Sequence, residues 1–125
     1  MNDQLTKQVI GVAFQVHNTL GFGFLESVYE KAMSLELDKP GIAHERQWPI
    51  SVYYDEQLVG EFACDLFVAD NLIVELKSVA QLATVHEVQL VNYLAATRID
   101  VGLLINFGPT QVDVKRKYRN YRKGN

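Results

Sequence analysis

In the stretch Leu72-Ile73-Val74-Glu75-Leu76-Lys77-Ser78-Val79 a carboxylate and an ammonium stand two residues apart among apolar neighbours. In an extended strand residues two apart share a face, so Glu75 and Lys77 point one way while Val74 and Leu76 point the other. An ionised Glu or Lys is costly to bury unless it is paired or bound to a metal, so a purely structural strand seldom holds both. Asp65, within Phe62-Ala63-Cys64-Asp65-Leu66-Phe67-Val68, is a third charge with apolar flanks.

Whether these groups meet depends on the intervening loop. With Ala69-Asp70-Asn71 as a three-residue loop and Asn71 in the left-handed position, Val68 pairs with Leu72 and Asp65 falls opposite Glu75. A two-residue Asp70-Asn71 turn sets Asp65 opposite Leu76 instead, on the wrong face to join Glu75. A shared site therefore demands the longer loop. Two carboxylates side by side repel, and a hard cation such as Mg2+ or Mn2+ is the usual remedy, taking one or two protein carboxylates plus water and phosphate oxygens. Lys77 beside such a pair can position or deprotonate an attacking water and offset charge on a phosphate, as phosphodiester hydrolysis requires. The competing reading is an Asp/Glu/Lys salt-bridge network without catalysis.

On the segment that opens at Thr84, His86, Gln89 and Tyr93 recur at i, i+3 and i+7, one face of a helix. Gln89 suits orientation of a water or a phosphate oxygen, and Tyr93 a hydrogen bond to phosphate or to the lysine. His86 reads equally as an exposed first-turn residue. Glu26, in the first turn of an earlier helix, is by itself a dipole-stabilising residue, and His17 is a satisfied core histidine.

Positioning these residues requires a particular order of elements. Leu5, Val9, Val12, Ala13, Val16 and Leu20 predict a helix over residues 4–19, ended by Gly21 and Gly23. A second helix is expected from near Phe24 to before Pro40, with Leu25, Val28, Ala32 and Leu35 as its core stripe. Residues 43–54, with Pro49 marking an edge or bulged strand, then 58–68 and 72–79 read as three strands. Thr84 and Glu87 form a capping-box pattern for a helix over 84–97, with Val88, Val91, Leu94 and Ala95 facing the core. The apolar run 101–107 predicts a strand covered on both faces and parallel to an earlier one, with 111–115 as a last short strand. The expected architecture is α/β, order α-α-β-β-β-α-β-β, with a mixed sheet.

The chain of 125 residues, 48% hydrophobic and 22% charged, suits one domain, residues 1–125. No stretch approaches the ~20 apolar residues of a membrane span, and a soluble, cytoplasmic protein is expected. The single cysteine, Cys64, excludes an internal disulfide or a thiolate zinc cage and reads as a small core residue. The net charge of −3 is unevenly spread: residues 1–114 hold six basic and fifteen acidic groups, and residues 115–125 hold six basic groups and no acid. That basic C-terminal tail (Lys115, Arg116, Lys117, Arg119, Arg122 and Lys123), with Tyr118 and Tyr121 between, is a candidate nucleic-acid-binding segment, or else a solvated terminus.

The run Gly23-Phe24-Leu25-Glu26-Ser27-Val28-Tyr29 resembles the signature of the GxxExxY protein family, a branch of the PD-(D/E)xK nuclease superfamily. The likeness extends through Glu45-Arg46-Gln47, Asp65, Val74-Glu75-Leu76-Lys77, His86-Glu87-Val88-Gln89-Leu90, Tyr93-Leu94 and Leu103-Leu104-Ile105-Asn106-Phe107-Gly108. It implies a restriction-endonuclease-like core and gives Glu26, with Asp65, Glu75 and Lys77, a place in the acidic-lysine site, supported by Gln89 and Tyr93. The superfamily's usual proline is missing, since Cys64 precedes Asp65. The resulting expectation is a Mg2+- or Mn2+-dependent nuclease cutting DNA, less readily RNA, by means of a metal-activated water. Asp65, Glu75 and the Leu76 carbonyl would bind the ion, and Glu26 would reach it directly or through water. A homodimer or a partner protein would supply further grip on a duplex. The rival is a non-catalytic nucleic-acid-binding or assembly module on the same fold.

Overall fold

The computed structural model describes residues 3–119, in the order expected from the sequence. Helices α1 (Asp3–Leu20) and α2 (Glu26–Asp38) precede strands β1 (His44–Tyr54), β2 (Gln57–Val68) and β3 (Leu72–Lys77), helix α3 (Thr84–Thr97), and strands β4 (Val101–Phe107) and β5 (Val112–Tyr118). The five strands form one mixed sheet in chain order. Only β3 and β4 run parallel, which is the pair that α3 connects. Pro49 sits on the edge strand β1, where its missing N–H breaks no ladder in the middle of the sheet.

Helices α1 and α2 cover one face through Leu5, Val9, Val16, Tyr29, Met33 and Leu37, against Leu66, Val68, Leu72, Val74, Leu76 and β4. Helix α3 covers the other through Leu90, Tyr93 and Leu94, against Ile50, Cys64, Phe67, Ile73 and Leu104. Every residue of β4 is buried, as its continuous apolar run predicts.

Two helical stripes differ from expectation. On α2 the buried line is Tyr29, Met33 and Leu37, and Leu25 and Leu35 stand exposed at 76% and 67%. The rotation follows Tyr29, whose ring stacks on Phe107 with centroids 4.3 Å apart and whose hydroxyl donates to Gly21 O at 2.6 Å. On α3 the sheet takes Leu90 with Leu94 and leaves Val88 and Ala95 exposed. The helix also opens differently from the predicted box: His86 Nδ1 accepts the N–H of Ala83 at 3.1 Å, while Glu87 pairs with Lys117 at 2.6 Å.

The described part of the basic segment, residues 115–119, is mostly strand. β5 reaches Tyr118, beyond the residue 115 expected from the pattern, and pairs along β4. Arg116 contacts Asp3 and Thr6, Lys117 pairs with Glu87, and Arg119 holds Asp100 at 2.6 Å, so acidic groups already face three of the six basic side chains. Lys115 is exposed, and Arg122 and Lys123 lie outside the described residues. No helix among the described residues is long and apolar enough to cross a membrane.

Candidate active site

Val68 pairs with Leu72 across residues 69–71, the three-residue loop that a shared site demands. The turn chemistry differs from expectation: Ala69 and Asp70, not Asn71, take positive φ, at 52° and 54°. The Asn71 N–H closes the turn on Val68 O, and the Ala69 N–H is held by Ala43 O of the segment entering β1.

The β2–β3 ladder runs from Val68 and Leu72 to Leu66 and Val74 and stops there. The next residues, Asp65 and Glu75, exchange side-chain contacts in place of backbone rungs. The Asp65 N–H donates to Glu75 Oε2 at 3.0 Å, and Asp65 Oδ2 accepts the Leu76 N–H at 2.7 Å. On the other side of β2, no rung joins Gln47 to Asp65, although Arg46 pairs with Leu66 and Trp48 with Cys64. Cys64 and Phe67 both enter the α3 core while Leu66 and Val68 enter the other, so the strand's alternation slips by one at Asp65. The sheet is thus opened at this residue, with its polar groups satisfied by side chains.

Glu75 is only 6% exposed. Burial, and next the neighbouring Asp65 charge, push its carboxyl up to about 8, with Glu26 adding to the rise. Burial also raises Asp65, against hydrogen bonds from Leu76 and Gln47 and the positive charge of Lys77. Lys77 lowers both carboxyls as a nearby charge, yet among the described residues no ion pair ties it to either. A closed structural salt bridge is therefore not what holds these carboxylates. Behind Lys77 the chain is fastened by Asn106 of β4, whose side-chain amide accepts the Val79 N–H and donates to Val79 O. Asn106 is itself opposite Lys77 in the β3–β4 ladder.

From α3, Gln89 Nε2 donates to the Tyr93 hydroxyl at 3.0 Å. Burial and then the Glu75 charge raise the Tyr93 phenol, which places Tyr93 beside the carboxylates. His86 is engaged at the helix start. His17 Nε2–H donates to Gly108 O, 2.7 Å away, and its ring stacks on Phe107, the satisfied role expected of it. Burial pushes the Cys64 thiol up to about 12, consistent with a core residue.

Glu26 opens α2 and is exposed; its effect on Glu75 is electrostatic. The glycines before it explain the local signature. Gly21 and Gly23 take φ of 73° and 112°, and Tyr29 clips the turn by binding Gly21 O and the Phe24 N–H. Tyr29 thereby fixes the turn that leads into α2, at whose start Glu26 stands.

Two residues here escaped the sequence reading. Glu30, one turn after Glu26, is 7% exposed, and its carboxyl is raised by burial. Gln47 donates to Glu30 Oε1 at 2.6 Å and to Asp65 Oδ1 at 3.2 Å, bridging α2 to the site, while Arg46 approaches Glu30 Oε2 at 3.4 Å. Gln47 has φ of 53°, unusual for a residue with a long side chain. The i, i+4 spacing of Glu26 and Glu30 was a usable signal; Gln47 stood only within the Glu45-Arg46-Gln47 run of the family resemblance, with no role attached to it.

Among the described residues no three His, Cys, Asp or Glu side chains gather closely enough to cage an ion alone. The donor set still fits a hard divalent cation: two adjoining, desolvated carboxyls supply only oxygen, and such an ion keeps several positions for water or phosphate. Burial that makes the bare carboxylates hard to ionise is what a bound cation would relieve.

None of the curated proteins compared with the chain matches it. Among solved structures it is similar to the one described as "Crystal structure of SSO0001", with a TM-score of 0.61 and 14% identity. The likeness covers 97% of this chain and 62% of that one, so the chain spans under two thirds of that protein's length, and the similarity shows a common fold. The sequence model of the PD-(D/E)XK nuclease superfamily matches residues 3–117. Over nearly its whole length, then, this chain belongs to the PD-(D/E)XK nuclease superfamily.

Proposed function

We propose that this chain is a divalent-cation-dependent nuclease that hydrolyses phosphodiester bonds of DNA, and less readily of RNA, at the opening between β2 and β3. The observation that carries the reading is the Asp65–Glu75 pair: a buried and a half-buried carboxyl tied to each other's strands, raised by desolvation, with no ion pair among the described residues to neutralise them. Asp65, Glu75 and the Leu76 carbonyl are the donors for Mg2+ or Mn2+, with Glu26 at the rim. Bound there, the cation would polarise a phosphate oxygen and lower the pKa of a water.

Lys77 shares the face of Glu75 and supplies a positive charge to the phosphate and to the attacking water. Gln89 and Tyr93 present an amide and a phenol on the α3 side, where they orient phosphate oxygens or the water. Glu30 and Gln47 hold Asp65 from the α2 side. Lys115, Arg116, Lys117, Arg119, Arg122 and Lys123 are proposed to attract the substrate backbone. The ion pairs of Arg116 and Arg119 have exposed carboxylate partners, Asp3 and Asp100, which can exchange for phosphates at little cost. A second copy or a partner protein would extend the grip of so small a domain.

The test is cleavage of labelled single- and double-stranded DNA and RNA with Mg2+, Mn2+ or EDTA, comparing wild type with Glu75→Ala. Cutting that needs the metal and vanishes in the variant supports the reading. Failure of folded wild type both to cut and to bind Mn2+ in a calorimetric titration would leave the non-catalytic module.

A further inference from the structure

Beside the carboxylates, α3 and the outer part of β2 enclose a surface pocket of about 360 Å3, lined by Phe62, Val85, His86, Val88, Gln89, Asn92 and Tyr93. Its apolar members remain open to solvent: Phe62 is 48% exposed, Val85 65% and Val88 50%. The Phe62 ring meets Tyr93 at a tilt of 42°, with centroids 5.8 Å apart, so the two rings form a continuous wall. Val85 and Val88 form the other side, one helical turn apart on α3. The lining contains no Asp, Glu, Lys or Arg. Its polar side chains are the amides of Gln89 and Asn92, the imidazole of His86 and the hydroxyl of Tyr93, a set that donates to and accepts from a neutral edge.

The pocket is joined to the proposed catalytic centre. Gln89 and Tyr93 belong to both, linked by their 3.0 Å hydrogen bond, and Phe62 lies three residues from Asp65 on β2, roughly 10 Å along the strand. We infer that this pocket receives one unstacked nucleobase of the strand being cut. The inference rests on the nuclease reading and narrows its substrate to strands with an unpaired nucleotide next to the scissile phosphate.

The chemistry favours that occupant. A nucleobase is planar, uncharged and apolar on its faces, matching Phe62, Tyr93 and the valines, and its edge carries donors and acceptors for the two amides. A lining without Lys or Arg offers no charge to neutralise a second phosphate. The volume lies at the small end of the range for ligand pockets, as expected for one ring system. A base within continuous duplex has both faces covered by its neighbours, so only a single strand, an overhang or a flipped nucleotide can fill the pocket without first breaking a stack.

The experiment compares anisotropy of two labelled oligonucleotides of equal length, oligothymidylate and its all-abasic counterpart, in Ca2+ buffer, for wild type, Phe62→Ala and Val88→Ser. Both substituted side chains are half-exposed, and thermal melts check each variant's fold. The expected result is that wild type binds oligothymidylate about tenfold more tightly than the abasic strand, and that each variant loses this difference while its affinity for the abasic strand is unchanged. Equal binding of the two strands by wild type overturns the base subsite and leaves the nuclease reading standing. Binding of neither strand overturns the base subsite, and the nuclease reading is then decided by cleavage of duplex DNA and by Mn2+ binding. A dimer broken by Phe62→Ala, with the preference for oligothymidylate intact, overturns the subsite and assigns the patch to a second copy of the chain.

Discussion

Asp65 gives its backbone N–H to the carboxylate of Glu75 at 3.0 Å, in the position where the next rung of the β2–β3 ladder would otherwise lie. Each carboxylate is thereby fixed by the partner strand: Glu75 by the amide of Asp65, and Asp65 by the amide of Leu76. Their separation is set by the sheet, with little dependence on side-chain rotamers.

Gln47 is the second restraint on Asp65, and Gln47→Ala removes it together with the donor to Glu30. The variant is expected to fold and to bind Mn2+ about tenfold more weakly, in line with losses at supporting residues of metal sites. Isothermal calorimetry checks this. Unchanged affinity would limit Gln47 to a structural role.

Glu75 supplies a pH dependence with a definite sign. Its carboxyl rises from an ordinary 4.5 to about 8 on folding, so between those values the folded, metal-free protein holds a proton that the unfolded chain has released. The stability this contributes is present in full below pH 4.5 and is lost as pH rises through about 8. In EDTA the melting temperature should therefore fall by several degrees between pH 5 and pH 8.5, and Glu75→Gln should flatten the profile. Mn2+ binding at pH 7 should release protons, seen as a dependence of the calorimetric enthalpy on buffer.

Lys77→Met keeps the length of the side chain and removes its charge. Mn2+ affinity should survive, because no ligand is lost, while cleavage should fall by about a hundredfold or more, as expected for a group acting on the reacting water and phosphate. Parallel calorimetry and single-turnover cleavage separate the two effects. Equal loss in both would assign Lys77 to holding the site together.

Tyr29→Phe leaves the stack on Phe107 and deletes the hydroxyl that binds Gly21 O and the Phe24 N–H. The expected cost is about 1 kcal/mol, measured by urea denaturation. A larger effect on cleavage than on stability would show that this hydroxyl aims Glu26.

Much of the site could be read from the chain because its parts are close in sequence. Glu75 and Lys77 needed only the two-residue period of a strand, and the loop of residues 69–71 supplied the register for Asp65. Gln89 and Tyr93 needed one helical turn. Glu30 and Gln47 are 17 residues apart and meet only through the packing of α2 against β1, and Gln47 adopts a backbone conformation that its side chain does not announce. The stripes of α2 and α3 were right at Ala32 and Leu94 and wrong at Leu25, Leu35, Val88 and Ala95, for a related reason: both helices carry apolar residues on more than one side, and periodicity alone does not say which side meets the sheet. On α3 the rejected side, Val85 and Val88, borders the candidate base pocket.

Asn106 gives strand β3 a consequence for evolution. Its amide imitates a peptide group at Val79, so the pairing of β3 effectively continues past Lys77 before the chain is released into the turn leading to α3. Residues 80–83 are thus mechanically insulated from the lysine. Insertions or replacements there can remodel the rim that greets a substrate while Lys77 keeps its place, and specificity can drift without redesign of the chemistry.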